Sequence, residues 1–300
     1  MRALARVPVV LAVALLIGGC AGGAARTGGA AAPKPRSDGS DAVPYDSATV
    51  FLWRFEETGG TRVNGEGPNP VTGTTGTETR PDLGRVGGAR RFTHSIDSFA
   101  WSAYAPGLET PREMTIEAWI RVDAFGQYED TPIAGRWNPT NADQSWLLAV
   151  GGQNLTPPLA ALPSPGYHND LLPTGFQNRS VGRLMFAFQP ERASLTRAYF
   201  SNERIEVDRW THVAATFDSK VVRLYLNGRV DAQYAVGEGI RPTSAPLLVG
   251  NLFDSRDLTS FGGDLRVGDQ ADRNPYYAFQ GVIDELRLSR VARTEFPYVR

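Results

Sequence analysis

Residues 207–228, VDRWTHVAATFDSKVVRLYLNG, place their side chains on two alternating faces, and the alternation predicts strands rather than a helix. Val213, Ala215 and Phe217 share one face, while His212, Ala214 and Thr216 share the other. The same period of two returns at Val222, Leu224 and Leu226, after the turn Asp218-Ser219-Lys220. Asn227-Gly228 then supplies two residues that tolerate positive φ, as a tight hairpin requires, and the chain runs back from Arg229 to Tyr234. Met114, Ile116, Ala118, Ile120 and Val122 form the longest unbroken buried face, with Thr115, Glu117, Trp119 and Arg121 opposite. Further strands are predicted at Leu52–Glu56, Ser145–Val150, Arg183–Phe188, Leu247–Gly250 and Val282–Leu288, and one short strand within the turn-rich stretch Thr58–Gly84. Three of these strands follow one another without a helix, and the pattern predicts an all-β chain.

Five stretches carry a family resemblance. W-x-H-V-A-x-T-F-D followed by L-Y-L-N-G (Trp210 to Gly228) resembles the signature of laminin G-like jelly-roll domains of the concanavalin A-like lectin superfamily. LWRFEETGG at Leu52, GGARRFTHSIDSF at Gly87, EMTIEAWIRVD at Glu113 and FQGVIDELRLSRVA at Phe279 resemble further strands of those domains, in the same order. The resemblance implies a two-sheet antiparallel sandwich, a jelly roll, over residues 47–296. Two segments exceed what that fold needs, near 151–182 and 251–275, and the tail 297–300 follows the last strand.

Composition adds what the pattern cannot. Thirty-one basic and thirty-two acidic residues give a formal charge of -1, without the basic stripe that nucleic acid requires, so nucleic acid is excluded as a partner. Glycine (32) and proline (21) are abundant, in keeping with many turns and short strands. At the N-terminus, Arg2 and Arg6 precede the apolar run Val7–Ile17, too short to span a bilayer and typical of a cleaved export signal. That run ends at Cys20, the single cysteine, and the junction resembles the lipobox of bacterial lipoproteins. Residues 1–19 then read as a signal peptide, Cys20 as the lipidation site and residues 20–46 as a flexible linker. The alternative is a plain secretory signal with an incidental cysteine. The resemblance implies a lipid-anchored protein of the cell envelope, sorted to the outer membrane or surface because Ala21, not aspartate, follows the cysteine. A mature chain without cysteine has no disulfide.

Candidate chemistry follows from the side chains left over. No strand carries the alternating acidic triplet of the glucanases that share this fold, and Asp284-Glu285, being adjacent, are expected to face opposite sides of a regular strand. The reading is therefore non-catalytic. Glu56 and Asp284 match the acidic positions of the first and last strands at which the superfamily often binds calcium, an ion that takes six to eight hard oxygens, although Glu56 stands where aspartate is commoner. A pair of exposed edge carboxylates without metal is the alternative. Sugar stacking would need aromatic faces beside planar polar groups. Trp137, Asn138, Tyr276 and Tyr277 are candidates, together with His168 in the first long insertion, against the ordinary use of Trp and Tyr to close a sandwich edge. The expected ligand is a glycan or an envelope protein, with a structural role in an envelope assembly as the second reading and a carbohydrate-active enzyme as the third. Ligand identity and oligomeric state are not legible in the sequence.

Overall fold

A computed structural model describes residues 41–127, 129–138, 143–153, 181–268, 277–296 and 298. Cys20, His168 and Tyr276 lie outside these residues, as do Asp269, Asp272 and Asn274 of the second insertion.

The strands run β1 Thr49–Trp53, β2 Arg62–Val63, β3 Gly73–Thr75, β4 Arg80–Leu83, β5 Gly88–Phe92, β6 Ala100–Ser102, β7 Met114–Ala124, β8 Thr131–Trp137 and β9 Gln144–Val150. They continue with β10 Arg183–Phe188, β11 Arg197–Arg204, β12 Trp210–Phe217, β13 Val221–Leu226, β14 Arg229–Ala235, β15 Leu247–Val249, β16 Leu258–Phe261, β17 Asp264–Val267 and β18 Gln280–Ser289. Two eight-stranded sheets result, ordered β14-β13-β12-β7-β18-β5-β4 with β1 also on β18, and β11-β10-β9-β8-β15-β6-β3-β2; β16 and β17 form a separate hairpin. The named strands within each sheet pair antiparallel. The expected two-sheet antiparallel sandwich is thus present, and β12-β13-β14 form the expected meander, with Asn227 (φ 49°) and Gly228 (φ 78°) at its second turn.

The layers close on the alternating faces. Ile116, Ala118 and Ile120 of β7 meet Val213, Ala215 and Phe217 of β12, Leu286 and Leu288 of β18, and Trp146, Leu148, Phe186 and Phe188 from the second sheet in one buried cluster. At about 25 cal/mol per Å² of apolar surface removed from water, each buried valine, leucine, isoleucine or phenylalanine side chain of this cluster contributes about 1.5–3 kcal/mol. The turn-rich region before Gly84 holds three short strands, β2, β3 and β4, rather than one. Each is two to four residues long, below the length at which alternation is visible.

The outer face of the β7-β12-β18 sheet is buried as well, and its cover revises the expected domain boundary. Residues 41–46, expected to belong to the linker, lie across it together with Phe296 and Tyr298; Val43, Leu52, Trp119, Ala214, Tyr225, Phe296 and Tyr298 pack as one cluster. Side chains of the sheet hold this strap. Trp119 Nε1 donates to the Asp41 carbonyl at 2.8 Å, Arg54 to the Val43 carbonyl at 3.1 Å, Arg287 to the Pro44 carbonyl, and Glu285 accepts from Val43 N at 2.7 Å. Low apolar content suggested a tether, but backbone groups that meet waiting polar side chains order the segment without a large apolar contribution.

Candidate functional site

The acidic pair of β18 marks a discontinuity in the sheet. Residues Gly281–Ile283 pair with β5, whereas Leu286–Ser289 pair with β1, so one side of β18 changes neighbour at Asp284-Glu285. The register against β7 slips at the same place, between Asp284 and Arg287, and Glu285 takes a left-handed φ of 53°. Ile283 and Leu286 both enter the core, which leaves the two residues between them on the outer side. The expectation that Asp284 and Glu285 face opposite sides is thereby corrected: a bulge inserts one residue and turns both carboxylates to one face. Both are fully buried.

Their partners differ. Glu285 accepts from Arg54, which is also held by Glu66 Oε2 at 3.0 Å. Glu117 of β7, opposite Arg287, receives the Arg287 guanidinium on Oε1, with Nε at 2.9 Å, and has His212 Nε2 3.0 Å from Oε2. Burial raises the affinity of Glu117 for a proton, but the Arg287 charge and His212 outweigh it and hold the carboxyl below its usual range. An ionised Glu117 can only accept, so His212 Nε2 carries the hydrogen; Nδ1 of the same ring has no partner. His212 is fully buried on the outer face, where its ring meets those of Phe296 and Tyr298.

Among the described residues no guanidinium pairs with Asp284. Its Oδ2 accepts from Val86 N at 2.9 Å and its Oδ1 has no hydrogen-bond partner. Burial, and after it the neighbouring charges of Glu285 and Glu56, push its carboxyl up to about 8. Glu56 follows β1 directly after Phe55 (φ 57°), and its Oε2 accepts from Gly88 N, the first residue of β5, at 2.9 Å. The structure thus brings the two predicted calcium positions to one junction, where β1 ends, β5 begins and β18 bulges. Glycines make the approach possible: a Cβ on Gly84 would lie 2.4 Å from the Gly88 carbonyl and 2.5 Å from Asp284 Oδ2, and one on Gly87 2.4 Å from Glu56 Oε1. An open cup of about 360 Å³ lies alongside, lined in part by Glu56, Glu57 and Glu66.

The donor chemistry suits a hard cation. An orphaned buried carboxylate oxygen and two repelling carboxylates are relieved by a divalent ion, and oxygen donors favour calcium. Among the described residues no group of three or more Asp, Glu, His or Cys is arranged for a metal, so carbonyl oxygens and water would complete the shell.

The aromatic candidates are placed differently. Trp137 is fully buried in a second apolar cluster with Leu147, Met185 and Leu248, and Tyr277 belongs to the same cluster. Asn138 is also buried, with Nδ2 3.2 Å from Asp254 Oδ1. None of the three offers an open face for stacking, because the outer side of the second sheet is itself apolar and covered. The exposed aromatic lies elsewhere. Tyr104 follows β6 at the rim of a groove of about 450 Å³ formed by residues 69–74 and 101–105.

With the geometry in view, the comparisons decide the family. A laminin G model described as concanavalin A-like lectin/glucanases superfamily matches residues 97–267. The chain belongs to this family. The match takes in the meander signature and leaves out Glu56 and Asp284. Among curated proteins the chain is similar to pappalysin-1 of Mus musculus, 28% identical over 192 residues, and of Homo sapiens, 26% identical over 193 residues. Each alignment takes in 63% of this chain and 10% of the relative, so the chain spans about a tenth of the curated relatives it matches. Among solved structures it is similar to the binding domain of Paraclostridial Mosquitocidal Protein 1, with TM-score 0.54, 14% identity, 82% of this chain and 49% of that one. The botulinum neurotoxin serotype G binding domain gives 0.52 and 9%, over 82% and 48% of the two chains. At these identities the likeness is one of fold.

Proposed function

We propose that this laminin G-like domain is a non-catalytic recognition module that binds a glycan or protein ligand at a bacterial cell envelope, anchored there by lipid on Cys20. The observation that carries the reading is the state of its acidic residues. Asp284 and Glu285, which do share a face, are fully buried, and Glu117 and Glu285 are occupied by Arg287, His212 and Arg54. A glycosidase needs a carboxylic acid and a carboxylate on either side of an accessible bond, about 5 to 10 Å apart. The anchor reading rests on Arg2, Arg6, the apolar run to Ile17 and the lone cysteine.

Full-length protein, expressed with its leader in a bacterial host, should enter the detergent phase of a partition and bind an immobilised glycan or one stoichiometric envelope protein saturably. A chain that stays in the aqueous phase would remove the anchor, and release of new reducing ends from polysaccharide pools would replace recognition by hydrolysis.

Within the same reading, calcium is held between Glu56 and Asp284 and stiffens the β1–β5–β18 junction. A ligand at a hundred times its dissociation constant stabilises the folded state by about 2.7 kcal/mol, and in a domain of this size each kilocalorie moves the melting midpoint by about 2–4 °C. Calcium should therefore raise the midpoint of chelator-treated protein by roughly 5–10 °C. The combined Glu56→Gln and Asp284→Asn variant should show no such rise. Identical midpoints with calcium and with chelator in the parent protein would remove the metal.

A further inference from the structure

We propose that the groove between residues 69–74 and 101–105 is the glycan site of this domain and that it takes a neutral oligosaccharide, with Tyr104 as its stacking platform. The assignment rests on the recognition reading above and adds to it a place and a ligand class.

Tyr104 is 41% exposed and is the one aromatic residue among the large exposed hydrophobic side chains of the described residues. The ring is held in position from one side. The Arg136 guanidinium lies 5.4 Å from the Tyr104 ring centroid. Arg136 is itself fully buried and cannot drift, because it donates to the carbonyls of Ala245 at 3.2 Å, Thr243 at 2.6 Å and Leu108 at 3.4 Å, and to Glu109 at 2.9 Å. A ring fixed before the ligand arrives loses little conformational freedom on binding.

The lining identifies the ligand. Asn69, Thr72, Thr74 and Ser102 supply an amide and hydroxyls, Trp101 and Tyr104 supply aromatic surface, and no charged residue lines the groove. This set matches alternating hydroxyl and C–H surfaces. The Arg136 guanidinium beside the ring is buried and already paired with Glu109, so a uronate, a sialate or a phosphate would meet no free counter-charge and its desolvation would go uncompensated. Trp101 pairs with Thr74 across β6 and β3, and its indole Nε1 is buried without a hydrogen-bond partner. A peptide added as a strand is disfavoured, since β3 is paired on both sides, by β2 and by β6, and presents no free ladder. The groove's volume of about 450 Å³ is within the range of small-ligand sites, about 300–1,000 Å³.

Calorimetric titration of the folded protein with cellohexaose, xylohexaose, maltohexaose and N-acetylchitohexaose, and with hexagalacturonate as the charged comparison, tests the assignment. At least one neutral oligosaccharide should bind saturably and quench tryptophan fluorescence, and hexagalacturonate should not bind. Tyr104→Ala should weaken the interaction by about tenfold or more, as loss of an aromatic anchor does, while Tyr104→Phe stays within about threefold. Tyr104→Phe should keep the parent's unfolding midpoint, and Tyr104→Ala, which gives up the contact with Arg136, should stay within about 4 °C of it. Parent binding that survives Tyr104→Ala overturns the site and leaves recognition standing. Failure of every neutral oligosaccharide to bind, or tighter binding of hexagalacturonate, overturns the ligand class. Cleavage of a bound oligosaccharide, followed as new reducing ends, overturns the recognition reading independently of where the sugar sits.

Discussion

Replacing Glu117 with leucine is expected to cost about 3–5 kcal/mol of folding stability, the usual effect of removing one partner from a buried ion pair. The cost comes from what remains: the Arg287 guanidinium and the His212 ring stay fully or almost fully buried, with no acceptor where the carboxylate stood. At about 2–4 °C per kcal/mol the midpoint should fall by roughly 6–20 °C. Removing both charges as Glu117→Leu with Arg287→Met should recover part of the loss, since two apolar groups of similar size need no partners. Recovery should be incomplete, because Arg287 also donates to the Pro44 carbonyl and so fastens the strap over residues 41–46. The pH sign follows from the lowered affinity of Glu117 for its proton. Its stabilisation is fully present above the ordinary carboxyl range near 4.5 and is lost as pH falls through its lower folded value. Denaturant unfolding of the parent, the two single variants and the double variant measures the coupling. A Glu117→Leu protein within about 1 kcal/mol of the parent would show that the network is not what holds this face together.

The network also shows where sequence reading stopped. The alternation of β7, β12 and β13 was legible because one face is filled by residues such as Ile116, Val213 and Leu224, and apolar periodicity survives without knowledge of the partner strand. The outer face was less legible, since nothing in the alternation shows that Glu117, His212 and Arg287 are covered until the strap is placed over them. The bulge at Asp284-Glu285 escaped for a related reason. Nothing local marks an inserted residue when the flanking pattern, Val282-Ile283 and Leu286-Arg287-Leu288, is compatible with a plain strand. Glu56 and Asp284 were picked through the motif resemblance; both carboxylates lie beside the start of β5, and their metal role rests on the proposal above. Trp137, Asn138 and Tyr277 were picked for residue type, which does not distinguish a ring that packs inward from one that faces a ligand. Tyr104, in the turn after a three-residue strand, carried no periodic signal at all.

The second large effect is expected at Asp130, and it has the opposite pH sign. Asp130 opens the turn into β8, is buried, and accepts from Gly152 N at 2.8 Å through Oδ1, while Oδ2 has no partner. Burial pushes its carboxyl from 3.8 up to about 7; the Gly152 hydrogen bond opposes this and the nearby Glu129 charge adds to it. The folded protein therefore holds this proton more tightly than the unfolded chain, and the contribution of Asp130 to stability declines as pH rises from about 4 to about 7. At about 1.4 kcal/mol for each tenfold change in proton affinity, the displacement corresponds to a loss on the order of 4 kcal/mol across that interval. Asp130→Asn keeps an oxygen for Gly152 N and removes the titration. The variant should match the parent near pH 4 and exceed it at pH 8, by an amount approaching that figure. Unfolding free energies measured at intervals from pH 4 to pH 8 check this directly, and since other titrating groups are common to both proteins, the difference between the two curves isolates Asp130. Curves that stay parallel over the whole interval would mean that Asp130 ionises as freely in the folded chain as in the unfolded one, and that the turn between β7 and β8 admits enough water to solvate it.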